Sequence, residues 1–319
     1  MRKPMALVLA CCLCLGGCTA ATEVRDRAFV QMLGVTGKET QLVTITPFDA
    51  EAPVTGRGET LFAAIDDAEA QQDKVLFFGH AELFAVGEGD LRGRLTMLLD
   101  GNHISPACQV LYAEDVTEAL GDPEAAPTGI LDSMGRKGLL VPRTAGEVLT
   151  DLLGRSGRTV LPYAKGDDFF MAVVDTDGKP LGVLDAAGAR GLCWLIGRPE
   201  NVYCGLADVG GDVLVREAAS SLQVTVEEGR VHAAFSIRLR VHYDTVTDPA
   251  QADRLLQALV AAECKAAVEQ TAYACSADVL QLERGIQRAD PAFYEAHASD
   301  WETVLQEMQV SCTVRVREI

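Results

Sequence analysis

Two stretches hold residue types at spacings that could do chemistry. The first is Leu15-Gly16-Gly17-Cys18, which follows Arg2, Lys3 and an uncharged apolar run over 5–15. Positive residues, an apolar run and small residues before a cysteine are the layout of a secretory signal ending in a lipoprotein cleavage box. Cleavage would leave Cys18 as the first mature residue, with its thiol available for a diacylglyceryl group. The apolar run and its glycines cover about 13 residues, short of the ~20 that cross hydrocarbon, so 1–17 reads as a removed signal. One acyl chain binds a bilayer marginally, with K on the order of 10⁴ M⁻¹, whereas two or more hold stably. Residues 18–25 then form a lipidated tether for a water-soluble body outside a bacterial cytoplasmic membrane.

The second stretch is His80-Ala81-Glu82, with Pro106-Ala107-Cys108 further on. Together they hold part of the histidine, glutamate and cysteine set of zinc deaminases. That chemistry needs two more thiolates or a third ligand at fixed spacing, and only one cysteine follows the proline. His80 therefore reads as a strand residue and no metal is expected. Gly87-Glu88-Gly89 lacks the third glycine of a dinucleotide loop and reads as a turn after a strand. Asp66, Asp67 and Glu69 point in different directions from one helix and form its solvated face. No nucleophile elbow, phosphate loop, H-E-x-x-H helix or EF-hand loop occurs. The expectation is no catalytic, cofactor-binding or metal residue, and a protein that is not an enzyme.

Composition bounds the partners. The formal net charge is −18, and removing 1–17 takes away two positive charges and no acid. Such a body does not grip nucleic acid or anionic lipid by its net field, so membrane attachment falls to the lipid. Six cysteines remain beyond Cys18: Cys108, Cys193, Cys204, Cys264, Cys275 and Cys312. That is not the density of a stapled scaffold. Cys264 and Cys275 lie about three turns (~16 Å) apart on a continuous helix and read as small core residues. Cys193 and Cys204 could lie across a turn, with a disulfide as the lesser alternative.

These residues need elements to hold them. Alternation over 27–35 and 40–48 predicts an antiparallel hairpin, and Gly58-Glu59-Thr60 opens a helix with Leu61, Ala64, Ile65 and Ala68 on one stripe. Residues 74–86 read as one long strand containing Gly79 and His80. Helices over 91–99, 115–120, 145–153 and 186–194 alternate with strands over 107–112, 159–163, 169–175 and 181–184, while the Pro- and Gly-rich segment 121–143 reads as a surface excursion. Beyond a boundary near 200, strands over 222–227, 230–243 and 309–318 frame helical runs at 249–283 and 291–308. Phe235, Ile237, Leu239, Val241 and Tyr243 recur at every second residue, against Ser236, Arg238, Arg240 and His242. The expected fold class is α+β, multi-domain, with antiparallel or mixed sheets and helices packed on them. Residues 26–200 form an N-terminal α/β region, with two subdomains splitting near 121–143. Residues 201–319 form an α+β domain, an antiparallel sheet with two long helices.

The chain resembles the C-subunit lipoproteins of bacterial spore germinant receptors, the Ger(x)C family. The resemblance runs from the lipobox through Glu23-Val24-Arg25-Asp26-Arg27-Ala28-Phe29-Val30, Gly58-Glu59-Thr60 and Leu76-Phe77-Phe78-Gly79-His80-Ala81-Glu82 to Val86-Gly87-Glu88. It resumes at Ala277-Asp278-Val279, Asp290-Pro291-Ala292-Phe293-Tyr294, Trp301 and the strand 310–316. Thr19 stands where the family commonly has tryptophan. The resemblance implies a non-enzymatic subunit in nutrient-triggered spore germination, lipid-anchored on the outer face of the cytoplasmic (inner spore) membrane. Its partners would be a membrane-spanning subunit and a ligand-sensing subunit. Gly79, His80 and Glu88 are the candidate structural or partner motif. The alternative left open is a lipid-tethered solute-binding protein of a transport system.

Overall fold

The computed structural model describes residues 24–319 apart from 51, 122–126, 207, 208, 210 and 245. The signal 1–17 and Cys18 lie outside the described residues.

A first sheet holds β1 (Arg27–Thr36), β2 (Gln41–Pro47), β3 (Val54–Gly58), β4 (Val75–Phe77), β5 (Leu83–Val86), β6 (Gln109–Ala113), β7 (Arg158–Lys165), β8 (Asp168–Asp175) and β9 (Pro180–Leu184). Its order is β3-β2-β1-β5-β6-β7-β8-β9, with β4 paired to β1. Pairings β1–β5, β5–β6 and β6–β7 are parallel, and antiparallel hairpins flank them on both sides. Central parallel strands are covered on both faces, which is why Leu83-Phe84-Ala85-Val86 is apolar without a break. Leu83, Ala85, Leu111 and Ala113 enter one hydrophobic cluster, while Phe84, Val86, Val110 and Tyr112 enter the other.

Helices α1 (Leu61–Glu69), α2 (Leu91–Asp100), α3 (Val116–Ala119), α4 (Pro127–Arg136), α5 (Ala145–Leu153) and α6 (Ala186–Leu195) clothe this sheet. The apolar stripes of α1, α2 and α5 pack on one face, and those of α3, α4 and α6 on the other. Thr60 caps α1 by accepting from the Ala63 amide at 3.2 Å, as its position predicts. The segment read as a surface excursion carries α4, whose Leu131 is fully buried.

The single strand expected over 74–86 is two strands. Both β4 and β5 pair in parallel with β1, at Arg27–Phe29 and at Met32–Val35, on either side of an irregularity between Val30 and Met32. The chain bridges that offset through a turn closed by the Ala81 amide donating to the Phe78 carbonyl at 2.9 Å. An apolar run shows burial, and it is silent about a jog.

The second sheet has the order β10-β11-β12-β13, with β10 (Val202–Leu206), β11 (Gly211–Glu227), β12 (Arg230–Asp244) and β13 (Gln309–Glu318). Glu228 (φ 52°) and Gly229 (φ 75°) make the tight turn between β11 and β12. Phe235, Ile237, Leu239 and Val241 are buried, as their alternation requires. The sheet is mixed and not antiparallel, because β13 runs parallel to β12. The return needs a crossover, supplied by α7 (Pro249–Val268), α8 (Leu282–Ala289), α9 (Pro291–Ala296) and α10 (Trp301–Glu307). Only α7 is long. The expected second long helix over 291–308 is broken between Ala296 and Trp301, and the first ends in a π-helical turn (Glu269–Tyr273) followed by left-handed residues Ser276 and Gln281.

The two sheets share one apolar cluster, and arginines tie them together. Arg158 donates to the Cys275 carbonyl at 2.7 Å, and the Arg155 guanidinium lies 3.4 Å over the Tyr294 ring. All six described cysteines are free thiols, so Cys193 and Cys204 are not bridged. Cys264 is a core residue, as expected, and Cys275 is half-buried.

Asp278 begins α8 from below the surface. Its carboxylate accepts from the amides of Leu282 (2.8 Å) and Glu283 (2.7 Å), yet burial outweighs these bonds and raises its pKa from 3.8 to about 6. Between pH 4 and 6 the folded chain then binds more protons than the unfolded one, so this group's contribution to stability falls as pH rises. Asp278→Asn removes the titration. The stability of wild type relative to this variant is expected to drop by on the order of 3 kcal/mol from pH 4 to pH 7. Urea unfolding of both proteins at the two pH values checks the slope, and a flat difference would refute it.

Candidate functional site

The residues singled out from the sequence fall at the two ends of β5. Gly79 and His80 lie in the turn before it, so the reading of His80 as a strand residue is corrected, and Glu88 lies just after it. A four-residue strand keeps these ends roughly 13 Å apart, so they do not form one constellation.

At the first end, the exposed His80 ring stands 5.6 Å from Phe29 and 5.7 Å from Phe77, which meet edge to face at 5.6 Å. The Arg27 guanidinium lies 4.9 Å from the Phe77 ring centre. Gly79 serves this packing, because a Cβ there would stand 2.8 Å from Phe77. The result is a half-exposed aromatic and cationic patch, a composition enriched at protein contacts. Glu82 points elsewhere, accepting from Gln31 at 3.3 Å. Near it, burial first and Glu82 second push the Cys108 thiol up to about 12. A thiol that stays protonated is a poor nucleophile. Among the described residues no group of three His, Cys, Asp or Glu side chains gathers as a metal set.

At the second end, Glu88 pairs with Lys38 at 3.3 Å, and its carbonyl accepts from the Gly37 amide at 3.1 Å. Gly89, at φ 143°, leaves room for Arg94, whose guanidinium a Cβ would approach to 2.1 Å. Arg94 is buried and donates to Gln41 Oε1 (3.0 and 2.7 Å) and to the Gly37 carbonyl. Burial lowers its pKa to about 10, with Asp90 opposing, so it stays charged at neutral pH. Sequence reading missed this residue, although a charge three places after Leu91, on the Leu91-Leu95-Leu98 stripe, was its signal.

A second missed network joins α6 to α7. Glu263 is buried, accepts from Trp194 Nε1 at 2.7 Å and pairs with Arg190 at 2.6 Å. Burial raises its pKa, and the Trp194 and Arg190 contacts oppose the rise. A cavity of about 990 Å³ opens between the end of α6, β11 and α8, lined by Leu195, Leu222, Phe235, Leu280, Arg284 and Arg288 among others. It does not lie between two similar lobes.

This fold and these sites define a class: a two-sheet α+β protein with a half-exposed aromatic and cationic patch, whose buried charges Arg94 and Glu263 are held by internal partners. No helix among the described residues is long and apolar enough to cross a membrane. Residues 171–318 match the family model described as spore germination B3/GerAC like, C-terminal. A solved structure, the crystal structure of the GerBC protein, is similar with a TM-score of 0.59 at 11% identity, over 90% of this chain and 96% of that one. That likeness establishes the fold. No curated protein matches the chain. Over residues 171–318 the chain is similar to the C-terminal region of B3/GerAC-like spore germination proteins, in line with the Ger(x)C resemblance.

Proposed function

We propose that the chain is a lipid-anchored, non-catalytic subunit of a spore germinant receptor, acting in nutrient-triggered germination. The observation that carries this reading is the match of 171–318 to the B3/GerAC-like model. Cys18 holds the body on the outer face of the cytoplasmic (inner spore) membrane, beside membrane-spanning and ligand-sensing partner subunits. Tethering confines the body to a layer next to them and raises effective concentration without a new contact. The patch of Arg27, Phe29, Phe77 and His80 begins nine residues after Cys18, within a reach of at most ~30 Å, and is assigned to partner contact. The buried thiols and the struts around Arg94 and Glu263 support a structural use of these groups.

The test is deletion in the native host, with other germinant receptors also removed, and complementation by wild type and by Cys18→Ala. Purified spores are scored for loss of refractility after nutrient addition. Deletion is expected to abolish the response, wild type to restore it, and Cys18→Ala to restore less than a tenth of the rate. Normal germination of the deleted spores would overturn the receptor reading, and full rescue by Cys18→Ala would overturn the anchor.

A further inference from the structure

We propose that the outer face and free edge of the second sheet bind an acidic, extended polypeptide segment of a partner protein. The inference stands apart from the receptor reading, because it rests on strand register and charge alone.

The parallel register sets Arg238 beside Arg315 and Arg240 beside Arg317. All four are exposed, and the two-residue period puts them on the same solvent face in a two-by-two array. Opposite β12, Arg240 faces Glu217 on β11 and pairs with it at 2.8 Å. The other three arginines have no carboxylate partner among the described residues. Like charges set directly opposite on neighbouring strands destabilise a sheet, so folding gains nothing from this array. A bound anion would reverse that sign. The chain carries a net −18, yet here four cations meet one acid.

The array lies on an edge. β13 is the end strand of its sheet, ten residues long, with a burial pattern that alternates between half-buried and exposed. Its far side presents unpaired amides and carbonyls, the template to which an extended chain adds as a further strand. A concavity of about 510 Å³ sits over the array, with Leu239 and Val316 among its lining. A strand laid beside β13 with acids at every second position would place its carboxylates over Arg315 and Arg317.

These features select the occupant. A second copy of β13 would bring its own Arg315 and Arg317 against the first pair. A lipid headgroup would leave the strand edge unused.

The test uses the full-length chain in non-ionic detergent and a labelled ten-residue peptide of alternating glutamate and threonine, followed by fluorescence anisotropy. Saturable binding is expected at low salt, weakened at least tenfold by R315E/R317E and by 0.5 M NaCl. A peptide N-methylated at every second residue on its pairing edge is expected to bind at least tenfold more weakly. Circular dichroism checks that each variant folds, and R238E/R240E on the neighbouring strand serves if the first pair fails. Undiminished binding by folded variants, undiminished binding of the N-methylated peptide, or no binding at millimolar peptide would each overturn the proposal. So would arginine-dependent capture of phosphatidylglycerol vesicles without peptide binding.

Discussion

Replacing Arg94 by methionine is expected to cost about 4 kcal/mol of stability, the largest single loss in the N-terminal sheet. Methionine keeps much of the stem volume, so the loss isolates the guanidinium. That group donates twice to Gln41 Oε1 and once each to the carbonyls of Gly37 and Val35, from the middle of the α2 stripe. It thereby pins the β1–β2 turn to the helix. Without it, the Gly37 carbonyl and the Gln41 amide oxygen lose a charged donor inside the protein, at roughly 1–3 kcal/mol each. Arg94→Lys keeps the charge but cannot fork to two acceptors, so it should recover less than half of the loss. Urea unfolding followed by circular dichroism measures both, and an unchanged m-value identifies the effect as native-state stability. A loss below 1 kcal/mol for Arg94→Met would show that water takes over these acceptors.

Gly191→Ala is the second large effect, expected at about 3–4 kcal/mol from a single methyl group. A Cβ at Gly191 would stand 2.0 Å from the Glu263 carbonyl oxygen and 2.5 Å from its carbon. Backbone cannot rotate away as a side chain can, so α6 and α7 must part. Parting them lengthens the bond from Trp194 and the ion pair from Arg190, both of which end on the buried Glu263. Gly188→Ala on the same helix is the control. There the atoms nearest the Cβ belong to the Gln270 side chain, at 2.5 Å, which can swing aside at the cost of the bond it accepts from the Asp185 amide. Its clash and its better helix propensity, worth ~1 kcal/mol, nearly cancel, so a change within 1 kcal/mol is expected. Thermal unfolding of the two variants side by side separates close helix approach from a general intolerance of alanine. Equal losses would refute the close-approach account.

Period and caps made much of this fold legible. The alternation from Phe235 to Val241 named its buried face, the Leu61-Ala64-Ile65-Ala68 stripe named its helix, and Asp248-Pro249 named the start of α7. Strand direction is not legible, because alternation is the same whether a partner runs parallel or antiparallel, and so the parallel pairing of β13 departs from the antiparallel sheet expected. The jog between β4 and β5 was hidden for a similar reason, since both halves are apolar. Of the site, Gly79 and His80 stand out as types, but their packing depends on Phe29, which β1 places alongside. Arg94 and Glu263 do not stand out in the sequence, because a charge on a helix is ordinarily solvated, yet both are buried. Their positions on apolar stripes were the physical sign that each needs an internal partner.

The parallel closure of the second sheet also sets a timetable for the growing chain. β12 is complete at Asp244, but the strand that covers its edge begins only at Gln309. Closing a loop of ~60 residues costs about 3 kcal/mol more than closing a two-residue hairpin, so this pairing comes late even in a complete chain. During synthesis, at about 5–20 residues per second, the edge of β12 waits several seconds for its neighbour. Through that interval Phe235, Ile237 and Leu239 sit on a strand open along one side. A stop codon or protease cut that removes 309–318 would make the interval permanent, and would leave an aggregation-prone protein.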